Sequence, residues 1–247
     1  MSTTIVHAKA ADILLDEFDF SGLTNEVELA VNNGLADVTA FLDTDATFVE
    51  GKAGWRATVN GLWDGTGGYD AEMFTDLTAT SRRLGIWPDT AAAGKRGWEG
   101  STIVGRQPRV APVADAVALN VDWIGDSPIM AAWSLMNANN LNSTTTGTAY
   151  NAGAAAAGET IVGVLRITEV GGAGANTLDV TIQSDDAEGF VSPTTRLTFT
   201  QVGTVVTFEM QSAAGAVADT WWRAVATYAG AGSRTYDVVV TFGIRST

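Results

Sequence analysis

Alternating hydrophobic and polar positions recur along most of the chain at the two-residue period of a β-strand. In the first half this alternation predicts strands over residues 25–31 and 55–63, then a hairpin over residues 98–110 and 114–124. In the second half it predicts six strands, over residues 160–170, 177–184, 196–202, 205–210, 221–228 and 236–244. Six strands separated by Gly-rich and Asn-rich turns are typical of an Ig-like or jelly-roll β-sandwich.

One segment follows a helical period instead. Within residues 70–84, the apolar side chains of Met73, Phe74, Leu77 and Leu84 form a stripe at helical spacing. Acidic residues occupy the first turn and arginines the last, which suits the helix dipole. We therefore expect a mainly β fold with one short helix, placed in an N-terminal β-sandwich or barrel.

A stretch rich in Asn, Thr, Ser, Gly and Ala separates the two strand-rich halves. Residues 137–157 show no periodicity, which favours a linker or a long exposed crossover. The sequence thus predicts an N-terminal domain over residues 1–138, a linker over 139–157, and a C-terminal β-sandwich over 158–247.

The acidic composition narrows the function classes. The formal net charge is −14, so a basic groove that grips nucleic acid is not expected. Cysteine is absent, which removes disulfides and thiolate chemistry. No apolar run approaches the length of a membrane helix and no signal peptide is recognisable, so we expect no membrane partner.

The segment over residues 32–54 is polar and acidic, and it separates two strands without any helical period. Loops of this length between paired strands are uncommon unless they are functional or ordered by a partner. We expect it to be disordered in the free subunit and ordered on contact. The candidate contact residues are Asp37, Asp43, Asp45, Phe48 and Glu50.

Three stretches of the first half resemble the major tail tube proteins of long-tailed, siphovirus-type bacteriophages. They read "LDEFDFSG", "ADVTAFLDTDATFVEGKAGW" and "NGLWDG". The resemblance implies a structural virion protein whose hexameric rings stack into a tail tube, their sheets joining into an inner β-barrel. It also implies assembly in the host cytoplasm, with tape measure, tail terminator and tip proteins as partners. DNA would pass through the tube without tight binding, and the acidic segment would form the contact between rings.

The start of the chain offers a second candidate contact. In the "DILLDEFDF" stretch, apolar residues alternate with acids, and this arm can add as an edge strand to a neighbouring subunit. Its candidate residues are Leu14, Leu15, Phe18 and Phe20. The alternative is an ordinary edge strand within the chain's own sheet.

The sequence gives no sign of catalysis or of a bound cofactor. The one histidine, His7, lies in the N-terminal arm, and no nucleophile elbow, P-loop or zinc-hydrolase motif occurs. The acidic clusters at 43–45 and 185–188 supply oxygen ligands but do not match an EF-hand, so solvated turns are favoured over calcium sites. We therefore expect a protein that is not an enzyme.

The chain contains eight tryptophans, and this number leaves a binding module as the alternative to a tail tube protein. Trp221 and Trp222 are adjacent, so on a strand one indole faces the core and the other faces outward. The outward indole is a candidate interface anchor or a platform for host-surface glycan. The alternative function is therefore a carbohydrate-binding or capsid-decoration β-sandwich.

Overall fold

The computed structural model describes residues 11–32, 34–39, 44–50, 54–62, 81–107, 109–110 and 118–246, and their regular secondary structure consists of β-strands. This confirms the mainly β class. In chain order the strands are β1 (Asp12–Leu15), β2 (Phe18–Asp19), β3 (Thr24–Asn32), β4 (Leu35–Asp37), β5 (Phe48–Glu50), β6 (Gly54–Leu62), β7 (Arg82–Trp87), β8 (Arg96–Arg106), β9 (Arg109–Val110), β10 (Ala118–Gly125), β11 (Met130–Leu141), β12 (Thr145–Thr146), β13 (Tyr150–Asn151), β14 (Glu159–Gly171), β15 (Thr177–Asp185), β16 (Thr194–Thr198), β17 (Thr207–Ala214), β18 (Trp221–Ala229) and β19 (Thr235–Ser246).

The chain divides into two compact units that interleave along the sequence. Unit 1 contains Met1–Ser21, Gly85–Glu99 and Met130–Thr247, and unit 2 contains Gly22–Leu84 and Gly100–Ile129. Each unit is therefore assembled from segments that are distant in the chain.

Unit 1 contains a β-sandwich. One sheet runs in the order β17, β14, β19, β11 and the start of β8, and the other in the order β12, β18, β15, β16, with β13 also paired to β18. Side chains from both sheets meet in one apolar core, which includes Leu165, Ile182, Trp222 and Phe242. In β18 the alternation of buried and half-buried residues follows the sequence pattern, as expected for a strand with one face in this core.

The first sheet of unit 1 is buried on its other face as well. A second apolar cluster there includes Leu14, Trp87, Met130, Val162 and Val164. The central strand β14 is consequently buried at seven consecutive positions, as its nearly unbroken apolar sequence requires.

Unit 2 is built on the strands β10, β6 and β3 together with the second part of β8. Trp55, Ala57 and Val59 on β6, and Val121 and Trp123 on β10, are buried. These residues pair across the two strands in register, since Val121 lies opposite Val59 and Trp123 opposite Ala57. One face of this sheet is therefore apolar and the other mainly polar, with Leu62 and Ile124 exposed on it.

Two glycines shape the pocket of the Trp55 indole in unit 2. A Cβ atom on Gly125 would lie 2.2 Å from Trp55 Nε1, and one on Gly100 would lie 2.4 Å from the indole carbon Cζ2. The indole Nε1 donates a hydrogen bond to the carbonyl oxygen of Ser127 at 2.6 Å. The absence of side chains at both glycines thus lets the indole lie directly on the backbone.

The helix was predicted over residues 70–84. Residues 70–80 of it lie outside the described part of the chain. Its final turn is wrong, because Arg82, Arg83 and Leu84 begin strand β7. β7 pairs with β1 and β8, so sheet hydrogen bonds take the place of the helical ones that the local pattern favours.

The domain boundaries also differ from the prediction. Residues 139–157 are not a linker, since β11 continues to Leu141 and the short strands β12 and β13 pair with β18. Gly147 N donates to Ala224 O at 2.8 Å, which holds this segment to the sandwich. Strands of two residues are too short to produce a readable period, and this is why the pattern resembled a linker.

Candidate functional site

The acidic segment predicted to contact a partner contains a small β-hairpin. Leu35 pairs with Glu50, Ala36 with Val49, and Asp37 with Phe48. The segment is thus partly ordered within a single chain, which corrects the expectation of disorder in the free subunit.

Hydrogen bonds around Thr39 extend the pairing of the hairpin beyond the end of β4, toward Thr47 just before β5. Asp37 Oδ1 accepts a hydrogen bond from the Thr39 amide at 2.9 Å and another from the Thr39 hydroxyl. The Thr39 hydroxyl oxygen in turn accepts a bond from the Thr47 amide at 2.9 Å, and Val38 N donates to Thr47 O. The bonds from Thr39, first from its hydroxyl and then from its amide, lower the pKa of Asp37. A carboxylate therefore fixes the end of β4.

The hairpin presents apolar side chains to solvent. Phe48 is 55% exposed and Val38 is 49% exposed. Asp37 and Asp45 are exposed as well, whereas Asp43 and the side chain of Glu50 lie outside what the structure describes. Phe48 and Val38 are therefore the apolar side chains of this hairpin that a partner surface could cover.

Three of the four N-terminal candidates are buried in their own chain, and the fourth, Phe18, is half-buried. Leu14 pairs with Asp19 and Leu15 with Phe18, and Leu14, Leu15 and Phe20 are at most 6% exposed. β1 also pairs with β7, so these residues form an ordinary strand of unit 1. The donated-arm prediction is wrong for residues 12–20, because their apolar side chains already have a core to fill. Residues 1–10 lie outside the described part.

The polar face of the unit 2 sheet carries a network of paired charges. Arg56 Nη2 lies 2.5 Å from Asp122 Oδ2, and the Thr58 hydroxyl donates to Asp122 Oδ1 at 2.9 Å. The hydrogen bond from Arg56 is the main cause that lowers the pKa of Asp122. On the neighbouring strand, Asn60 Nδ2 donates to Glu26 Oε2 at 2.8 Å. On this mainly polar face, Arg56 favours the charged form of Asp122.

The tryptophan pair divides as the strand pattern predicts. Trp222 is fully buried, stacks on Phe242 at a centroid distance of 4.2 Å, and donates from Nε1 to Gly153 O at 2.9 Å. Trp221 is half-buried and lies in register with Asn151 on one side and Asp185 on the other. Of this pair, only Trp221 is left as a candidate for surface binding.

In the acidic cluster at 185–188, Asp186 and Glu188 are exposed, as expected for a solvated turn, whereas Asp185 is buried and hydrogen-bonded. Asp185 is 3% exposed, and its carboxylate accepts bonds from the amides of Ala187 and Ser192 at 3.1 and 2.9 Å. Within the described ranges, no group of three or more acidic, His or Cys side chains is arranged to hold a metal ion. The same residues contain no helix long and apolar enough to cross a membrane.

The sequence pattern did not reveal the full extent of β17 or the outer positions of β17 and β3 in their sheets. The strand predicted over residues 205–210 is observed as β17 (Thr207–Ala214), an outer strand of unit 1 with Met210 exposed. β3 is the corresponding outer strand of unit 2. The alternation of exposed and half-buried residues from Met210 to Ala214 signals the true extent of β17, but its small side chains conceal it.

No protein-family profile and no curated protein matches this chain. A chain in the virion of a native gene transfer agent particle is similar in structure, with 12% identity, a TM-score of 0.39, and coverage of 50% of this chain and 95% of that one. SPP1 Dit (gp 19.1), described as a paradigm of the hub adsorption apparatus in phages infecting Gram-positive bacteria, is similar at 8% identity and a TM-score of 0.36, covering 95% of this chain and 98% of that one. Similarity at this level assigns no function to the chain.

Proposed function

We propose that this chain is a structural virion protein that self-assembles into stacked rings to form a phage tail tube. The observation that carries the proposal is the β4–β5 hairpin, which exposes Phe48 and Val38 within the segment that resembles tail tube proteins. The proposed role is structural, without catalysis or a cofactor.

A hairpin of two three-residue strands cannot bury its own apolar side chains. Isolated two-stranded hairpins are at best marginally stable in water, and they gain stability by packing on another surface. Burying most of a phenylalanine contributes roughly 1.5–3 kcal/mol. Contact of Phe48 with the next ring would supply that burial, and it would stabilise the hairpin that a single chain already forms.

The charge of the protein suits a conduit for DNA. A net charge of −14 repels phosphate, so a duplex could slide past without being held. The resemblance further suggests hexameric rings, assembly in the host cytoplasm, and contacts with tape measure, terminator and tip proteins. The polar face of the unit 2 sheet is the described surface best suited to line such a channel, since its charges are fixed by Arg56 and Asp122.

The alternative, a carbohydrate-binding or capsid-decoration module, depends on one residue of the tryptophan pair. Trp222 belongs to the core and cannot stack on a sugar. Trp221 keeps this alternative testable, because a Trp221→Ala variant would lose glycan binding without losing assembly.

Microscopy of the purified protein and of one hairpin variant tests the proposal. The unmodified protein, concentrated and stained, should give rings or tubes. Phe48→Ser should shorten or abolish tubes while leaving thermal unfolding unchanged, because Phe48 packs little within the subunit. Val191→Ser is the matched control, since Val191 is 86% exposed on a loop outside the hairpin. Normal tubes from Phe48→Ser would remove the hairpin from the ring contact.

A further inference from the structure

Two strands of the described residues each keep one edge without a strand partner. β17 pairs with β14 from Thr207 to Ala214, and β3 pairs with β6 from Thr24 to Asn32. Within the described ranges, no other strand pairs with either. An open edge presents a row of backbone N–H and C=O groups that a further strand can bond.

The β17 edge lacks the usual protection against such pairing. Its sequence, TFEMQSAA, contains no Lys, Arg or Pro, and it pairs with β14 without a bulge. Its one charge, Glu209, is tied back to the preceding loop, since its Oε2 accepts a hydrogen bond from Thr200 N at 2.8 Å. Natural sheets usually blunt edges with charges, prolines or bulges, so an unprotected edge of eight residues indicates a partner strand.

Both edges also carry an apolar side chain that is incompletely buried. Met210 is 47% exposed and lies opposite the fully buried Val164 on β14. Val31 is 52% exposed and lies opposite the buried Trp55 on β6. A strand added at either edge would cover these side chains and extend the apolar face that they already border.

We infer that β17 of one copy pairs with β3 of a second copy of the chain, in a head-to-tail contact. The inference rests on the proposed self-assembly and names the strands that carry it. The two edges have similar lengths, since β17 has eight residues and β3 pairs regularly with β6 over residues 26–32, beyond a bulge after Thr24. Each edge has an apolar face to match with the other. Because the contact joins two different surfaces, it leaves one open edge at each end and can continue around a ring.

Self-pairing of either strand fits less well. β3 carries Glu26 and Glu28 on one face, so pairing with itself would bring four carboxylates together, and opposed like charges destabilise a sheet. Pairing β17 with itself would close a dimer and leave β3 uncovered in both copies. Pairing β3 of one copy with β17 of the next covers both edges. It also keeps Glu26 and Glu28 of one copy away from the same residues of the other.

The chain contains no cysteine, so engineered disulfides give a direct test. On β3, one variant carries Val31→Cys. On β17, three separate variants carry Met210→Cys, Ser212→Cys or Ala214→Cys, because the register between the two copies is not fixed in advance. Mixing under oxidising conditions should give covalent heterodimers for at least one β17 position. A chain with both substitutions should give a ladder of higher oligomers. Val191→Cys, exposed but on neither edge, should give none when mixed with Val31→Cys.

A charge substitution gives an independent readout. Met210→Lys should raise the concentration needed for assembly several-fold, whereas Val191→Lys should leave it unchanged, and both should unfold as the parent does. Tubes without cross-links would overturn the strand pairing and leave the proposed function standing. Cross-links without tubes would support the pairing and reject the tube. Homodimers from a single cysteine variant alone would mean self-pairing and would also overturn the inference.

Discussion

Arg166 and Glu99 form a two-pronged ion pair inside unit 1, with Nη1 2.6 Å from Oε1 and Nη2 3.0 Å from Oε2, and both side chains fully buried. The hydroxyl of Thr241 donates a further bond to Glu99 Oε1 at 2.9 Å. The pair connects β8 with β14, two strands that are far apart in sequence. It therefore links two strands that β19 and β11 separate in the sheet.

Removing one charge of this pair should destabilise the protein strongly. Glu99→Gln leaves the Arg166 charge buried without its counter-ion, and losses of about 3–5 kcal/mol are typical of such changes. Denaturant unfolding at neutral pH measures the effect. The double variant Glu99→Leu/Arg166→Met should recover much of the loss, because an apolar pair has no charge to desolvate. Equal losses in the single and double variants would show that the charge interaction is not what matters.

The packing of Trp55 predicts a contrast between two glycines of unit 2. Gly125→Ala should destabilise the unit by about 1–3 kcal/mol, because the added methyl group overlaps the indole and forces it to move. Gly54→Ala is the control, since a Cβ there meets nothing within 4 Å. Thermal unfolding followed by tryptophan fluorescence compares them. Equal melting temperatures for the two variants would contradict the close packing of the indole on the backbone.

The ion pair of Asp122 predicts a loss of stability in acid. The pKa of Asp122 in the folded protein lies below its ordinary value of 3.8, chiefly because Arg56 bonds to the ionised form. A carboxyl with a lowered pKa contributes stability that is fully present above 3.8, and the contribution is lost as the pH falls through the folded value. Unfolding between pH 7 and 5 should therefore be unaffected by this group.

Comparison with Asp122→Asn isolates the effect. The difference in stability between parent and variant should shrink as the pH falls below the ordinary value. A difference that stays constant across the acid range would mean that the carboxylate does not stabilise through its charge.

Truncation after residue 140 should not give a folded unit 1. The strand β11 is flanked by β19 (Thr235–Ser246), which such a fragment lacks, and the core of the sandwich comes mostly from residues beyond it. Amide hydrogen exchange of the fragment should show unprotected amides in β11. Full protection of β11 in the fragment would show that the strand is held without the sandwich.

The strands of the second half were predictable because most are long and have one face in the core. β14, β15, β18 and β19 lie within two residues of their predicted bounds. The alternation of β18 also placed Trp222 inside and Trp221 outside. In these four strands the local pattern agrees with the packing, so the sequence alone was enough to predict them.

The other elements depend on contacts between distant residues, which the local sequence pattern does not reveal. The two-residue strands β12 and β13 have no period, and β7 begins in a helix-like pattern that sheet pairing overrides. The division into interleaved units depends on which distant segments pair, as β8 does with β11. The burial of Leu14 likewise depends on a distant contact, because its cluster includes Trp87 of β7.

Electron microscopy of the unmodified protein, across a range of concentrations and salt, tests the central claim most directly. Because the subunit is acidic, screening should reduce repulsion between copies, so assembly should improve as salt is added. We expect stacked rings with a central channel, and the stacks should lengthen with concentration. Particles that remain single subunits at every concentration and salt would contradict it.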